Sequence, residues 1–356
     1  MMANKPGGGN KLSGIEAGRG VAALLVVGVH TRSHLFKNGI EDTLADLFLF
    51  GHSGVDFFFV LSGFIILYVH YRDIGRPARV GNYLRRRFTR IYPFYWLMTL
   101  PALATIALSA HQAMPSLWSY VLSVLLLPVA EHPIIGVAWT LQHEITFYAV
   151  FLTLIVNYAL GIGVFLAWLG VIVAQQFVSG IDLAAVSSLF NVHFFIGMGA
   201  AWLLRHHTVP KPKAVLWAGV VIFLCAGLAE DAGLIPGLSY FTHLGYGVGS
   251  GLTILGLVEA ERQNRLYVPR VMTALGGASY SIYLTHLMSI GAVWQIMLAA
   301  HVVDLLPSSV QFVTLFIGAA VGGWVISRLI EHPTTEIARW LTTPKPLPTE
   351  AAPLPQ

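Results

Sequence analysis

The sequence predicts an all-α, polytopic integral membrane protein with about ten transmembrane helices around a charged central cavity. Three observations lead there. Of the 356 residues, 56% are hydrophobic and only 11% are Asp, Glu, Lys or Arg, against about 25% charged residues in soluble domains. Apolar stretches of about 20 residues, the length that crosses hydrocarbon as a helix, recur from end to end. The alternating strands of a membrane barrel are not visible. One soluble core cannot hide so much apolar surface behind so few charges, so lipid has to solvate most of it.

The elements follow in order. Residues 1–12 are polar and Gly-rich and are expected to form a flexible cytoplasmic N-terminus, 13–341 the transmembrane domain, and 342–356 a disordered Pro-rich tail. Within the domain the apolar runs fall at 14–33, 44–70, 88–109, 138–157, 161–178, 187–204, 214–230, 239–258, 271–299 and 309–330. The first run has basic residues before it but no small-x-small cleavage site after it, so it reads as a retained span. A further stretch, 117–130, is short and ends at Pro128, which fits a re-entrant or interfacial piece. The single cysteine, Cys225, lies in an apolar run and reads as a buried small hydrophobe.

Charge orients these spans. From Arg72 to Arg90 there are seven arginines and one aspartate, which places that segment in the cytoplasm. The N-terminus, two spans away, is then cytoplasmic as well. The basic loops 205–213 and 261–265 also face inside if 117–130 does not span, and so does the C-terminus. Leaving out 161–178 restores the same parity, and charge alone does not choose. The net charge of +4 is accounted for by this topology, and no nucleic-acid partner is expected.

Several ionisable residues interrupt the apolar runs, where they are costly and usually face a cavity or a partner. Arg19 and His30 are eleven residues apart. At about 100° per residue they return to one helix face, separated by about 16 Å along the axis. Either they line one cavity, or Arg19 snorkels to the inner headgroups while His30 meets water at the outer end. Asp56 starts the second span, as a cavity residue or a helix cap. Ser62 and Gly63 lie midway along it, suited to close helix packing. Arg87 and Arg90 share a face, either setting topology or gripping phosphates bidentately. Pro93 suits the first turn of a new helix or a break. Glu144 and Tyr148 lie one turn apart near the start of a span, and His286 follows Tyr283 by about a turn. His30 and His34 sit at i and i+4, but Thr31 stands where a zincin helix carries glutamate, so no metal is expected.

In this order, Arg19 with His30, "GVDFFFVLSGFII", "RRFTRIYPFYW", "WTLQHEITFY", "SYSIYLTHL" and the closing "EHP" resemble the membrane acyltransferase-3 family, which includes bacterial exopolysaccharide and O-antigen O-acetyltransferases. The resemblance covers almost the whole chain. It departs locally at "EAGRGVA", where the family more often has Leu before the Arg and a bulkier residue after it. The resemblance implies ten transmembrane helices in the bacterial inner membrane, an acyl-CoA donor (usually acetyl-CoA), and a carbohydrate hydroxyl as acceptor. That acceptor is a polysaccharide or a lipid-linked oligosaccharide.

On this reading His30 is the general base, since imidazole titrates near neutrality, and Glu144 orients it or stabilises its charged form. Arg19, Arg87 and Arg90 hold the CoA phosphates at the inner side. Asp56, Ser62, Tyr148 and His286 bind substrate or line the cavity. Direct transfer and a path through acetyl-His30 both fit. No G-x-S-x-G elbow supports a serine-hydrolase route. The non-enzymatic alternative, a secondary transporter of a sugar or organic anion, also uses intramembrane charges, but its usual internal repeats are not found.

Overall fold

The computed structural model describes residues 12–108, 113–129, 131, 133–178, 183–236 and 239–343. Among them the chain is helical, with no strand. The α-helices are α1 (Ser13–Lys37), α2 (Thr43–Asp46), α3 (Gly54–His70), α4 (Val80–Leu108), α5 (Leu117–Leu125), α6 (Trp139–Val156) and α7 (Tyr158–Ala174). They continue with α8 (Val192–His206), α9 (Pro212–Asp231), α10 (Tyr240–Arg262), α11 (Arg270–Ala299), α12 (Ser308–Ile326) and α13 (His332–Thr342). The tails expected at 1–12 and 342–356 lie outside the described residues, apart from Leu12 and the end of α13.

Among the described residues, seven helical segments are long and apolar enough to cross a membrane: Thr43–Asp73, Pro77–Leu108, Gly136–Val156, Pro212–Asp231, Tyr240–Arg262, Arg270–Ala299 and Ser308–Thr342. By length and hydropathy this is fewer than the expected ten. α1 has the length but carries Glu16, Arg19, Arg32 and Lys37, while α7 has 17 residues and α8 has 15. α5 has nine residues, about 14 Å at 1.5 Å per residue, less than half the hydrocarbon thickness.

The outward faces are apolar. On α9, Trp217, Val221, Leu224 and Leu228 are exposed, a surface that suits lipid as solvent. Cys225 is exposed too, which corrects the expectation of burial. α9 buries Gly219 and Gly227 but few of its larger side chains, so an apolar residue here faces outward. α4 runs unbroken through Pro93, the expected site of a new helix or a break, and through Pro101 as well. Membrane helices tolerate proline when neighbours satisfy the freed backbone groups.

Glycine lets the central helices touch. A Cβ on Gly197 would collide with the Val60 carbonyl, and one on Gly63 with the Phe194 backbone, so α3 and α8 approach at backbone distance. α1 and α11 run parallel, since Glu16 meets Gly276, His30 meets His286 and His34 meets Trp294 in the same order along both helices. The start of α1 is capped from far along the chain, with Ser13 and Gly14 donating their backbone N–H groups to Glu261 at 2.8 and 2.9 Å. That contact satisfies two of the N–H groups a helix start leaves open. It also gathers the start of α1 and the ends of α3, α8 and α10 at the basic end of the bundle, where Arg205 and Arg262 both reach Tyr68.

Candidate active site

Helices α1, α3, α4, α6, α11 and α13 enclose a cavity of about 600 Å³, within the size range of small-molecule sites. Six arginines line it: Arg19, Arg85, Arg86, Arg87, Arg90 and Arg339. They come from the basic end of α4, from the second turn of α1 and from α13. The opposite part of the wall is apolar and aromatic, with Val55, Phe58, Phe59 and Tyr283. Glu144 is the one carboxylate among the lining residues.

Four of the six arginines are held by side chains that the fold supplies. Arg87 lies over the Tyr148 ring at 5.4 Å and the Tyr83 ring at 5.9 Å, and its Nη2 donates to His70 Nε2 at 3.4 Å. His70 in turn donates from Nδ1 to Asp73 at 2.8 Å, which fixes the tautomer whose Nε2 accepts from arginine. Arg90 lies 5.3 Å from the Tyr280 ring and 3.7 Å from Glu331. Glu331, from the closing "EHP", also accepts from Ser281 at 2.6 Å and Ser327 at 2.9 Å. Arg19 pairs with Glu16 at 3.4 Å. At the mouth Arg85 donates to Thr343 at 2.9 Å, tying α4 to the end of α13. Arg87 Nε is buried with no hydrogen-bond partner among the described residues, a donor aimed at something the protein does not provide.

Glu144, Ser62 and Tyr148 come together: one Glu144 carboxylate oxygen accepts from Ser62 Oγ at 3.1 Å and from the Tyr148 hydroxyl. The expected pairing of Glu144 with His30 is not formed. Glu144 is engaged with α3 and its own helix, while the His30 ring stands 4.9 Å from the His286 ring, centroid to centroid. Neither histidine lines the cavity; they lie about a turn beyond Tyr283, whose ring is 5.9 Å from that of His286. His286 Nδ1 donates to the Tyr283 carbonyl at 2.6 Å, and its Nε2 is buried with no partner among the described residues.

Asp56 is placed differently from both of its expected readings. It does not cap α3, whose N-cap position is Ser53, and it does not line the cavity, although Val55 and Phe59 do. Fully buried, it accepts from His243 Nδ1 at 2.7 Å and His193 Nε2 at 3.0 Å. Sequence reasoning passed over these two histidines, along with His70, Arg85, Arg86 and Arg339. The signal that marked Glu144, an ionisable residue at the start of an apolar run, was present for His193 and His243 as well.

Residues 12–328 match a family model described as an acyltransferase domain. The chain is 31% identical over 293 residues, 77% of its length and 87% of the relative's, to the exopolysaccharide production protein ExoZ of Rhizobium meliloti (strain 1021). No solved structure matches. With a family match over most of its length and a relative of that identity and coverage, the chain belongs to the acyltransferase-3 family.

Proposed function

We propose that this acyltransferase moves an acetyl group from acetyl-CoA to a hydroxyl of an exported or cell-surface polysaccharide. One observation carries the reading: six arginines and a single carboxylate line one cavity. Guanidinium groups bind phosphate oxygens bidentately, and the excess of positive charge suits the phosphates of CoA. The buried, unpartnered Arg87 Nε fits the same anion. The relative's role in exopolysaccharide production favours a glycan as acceptor.

The protein then sits in the bacterial inner membrane with both termini cytoplasmic, and α1, α7 and α8 complete ten crossings. The donor enters at the basic end, and its pantetheine arm runs along the cavity toward Phe58, Phe59 and Tyr283. The acceptor hydroxyl attacks the thioester carbonyl, a C–O bond forms and the C–S bond breaks. His30 takes the hydroxyl proton and returns it to the leaving sulfur, so no net proton is released. A positioned base of this kind contributes about 10²–10⁴-fold. Glu144 holds Ser62 and Tyr148 in the wall and balances part of the arginine charge.

The test is purified protein with radiolabelled acetyl-CoA and de-esterified polysaccharide. Label in the glycan with equimolar free CoA thiol supports the reading. A folded protein that transfers nothing from acetyl-CoA contradicts it. Label trapped on the protein without acceptor selects the path through acetyl-His30.

A further inference from the structure

Away from the arginine-lined cavity lies a second polar cluster. It joins Asp56 near the start of α3, His193 near the start of α8, His243 near the start of α10 and the His52–Glu230–Tyr246 group. The last is held by His52 Nε2 to Glu230 at 3.1 Å and the Tyr246 hydroxyl to Glu230 at 2.5 Å. Among the described residues, no three His, Cys, Asp or Glu side chains converge in a group that could hold a metal ion.

The two histidines on Asp56 differ. Both nitrogens of His193 face acceptors, Nδ1 the Phe190 carbonyl at 3.0 Å and Nε2 both Asp56 and the His243 carbonyl at 2.9 Å. That ring is spent, and it donates at both nitrogens when cationic opposite Asp56. His243 uses only Nδ1. A carboxylate accepts only, so Nδ1 carries a proton, and in the neutral ring Nε2 is the acceptor. Its side chain retains 12% of its surface, and no described residue bonds Nε2. Asp56 Oδ2 is buried without a partner among the described residues. A cluster that only tied helices together would use up these atoms.

Its position relates it to the acyl-transfer cavity. The Phe190 ring packs on His243 at 4.6 Å and also meets Phe59, a cavity-wall residue, at 5.7 Å. His243 is therefore joined to the apolar part of the cavity wall through one aromatic ring. We infer that His243, oriented by Asp56, is a binding residue for the acceptor. Its Nε2 accepts a hydrogen bond from a sugar hydroxyl of the glycan beside the Phe190 ring. Aromatic rings next to a few directed polar groups are the usual make-up of a small-molecule site. The inference rests on the proposed acyl transfer to a carbohydrate.

His243→Asn tests it, because the Asn amide nitrogen can replace Nδ1 as donor to Asp56 while nothing replaces Nε2. The probe is oligosaccharide fragments of the exopolysaccharide of the source strain, freed of ester groups. The expected result is an acceptor KM raised about 5–10-fold, the worth of one neutral hydrogen bond, with the acetyl-CoA KM and the melting temperature unchanged. An unchanged acceptor KM overturns the inference while acyl transfer stands. If wild-type protein neither binds CoA nor transfers, the functional reading fails and this inference falls with it. Should the variant not fold, diethylpyrocarbonate labelling of wild-type protein, mapped by peptide mass spectrometry, decides. Protection of His243 by the fragments supports the inference, and equal labelling with and without them overturns it.

Discussion

His30 and His286 face each other ring to ring, 4.9 Å apart, from two parallel helices. His286 is oriented by its bond to the Tyr283 carbonyl, so its free Nε2 is fixed beside the His30 imidazole. Two histidines in this relation act as a unit, and losses within a unit do not add. We expect His30→Ala to lower transfer by about 10²–10⁴-fold. The double variant with His286→Ala should be no slower than His30→Ala alone. Losses that multiply in the double variant would show two independent roles.

Glu144 faces six arginines across the same cavity. Removing its charge with Glu144→Gln should tighten CoA binding, because the cavity becomes more positive, and should slow turnover more than tenfold as Ser62 and Tyr148 are left with a weaker, neutral amide oxygen as their shared acceptor. Binding and single-turnover rates, measured side by side, check the opposite signs. If both fall together, the carboxylate has a different part.

The chain from Asp73 through His70 to Arg87 orients a guanidinium that no carboxylate among the described residues touches. His70→Phe should raise the donor KM about tenfold and leave kcat near wild type, the pattern of lost uniform binding. Arg87→Lys should not restore affinity, since an ammonium lacks the planar fork. A kcat effect without a KM effect would argue against a phosphate-binding role.

Packing offers a paired test on α8. Gly197→Leu places atoms where the Val60 carbonyl stands, so it should abolish a monodisperse folded protein. Gly199 has open space around its Cβ direction, and Gly199→Ala should stabilise by about 0.5–1 kcal/mol through helix propensity. Thermal melts of both variants in detergent check this. A folded Gly197→Leu would mean that α3 and α8 are not in backbone contact.

Much of this was legible in the residues themselves. Helical period alone put Arg19 and His30 on one face, and both do turn toward α11, Arg19 into the cavity it shares with Tyr280 and His30 onto His286. Charge marked the segment from which four of the six lining arginines come. What periodicity cannot show is pairing at long separation. Ser62 and Glu144 meet across 82 residues and Asp56 and His243 across 187, so Glu144 was matched with the wrong partner and Asp56 with none. Length and hydropathy rules also leave out helices that are short or charged, such as α8 and α1.

The account stands most directly on CoA binding by the arginine-lined cavity, measured by calorimetry on purified protein. It predicts binding of CoA that weakens as salt rises and falls more than tenfold in Arg87→Gln and in Arg90→Gln. CoA affinity that is unchanged in both variants, or absent from the folded wild type, contradicts it.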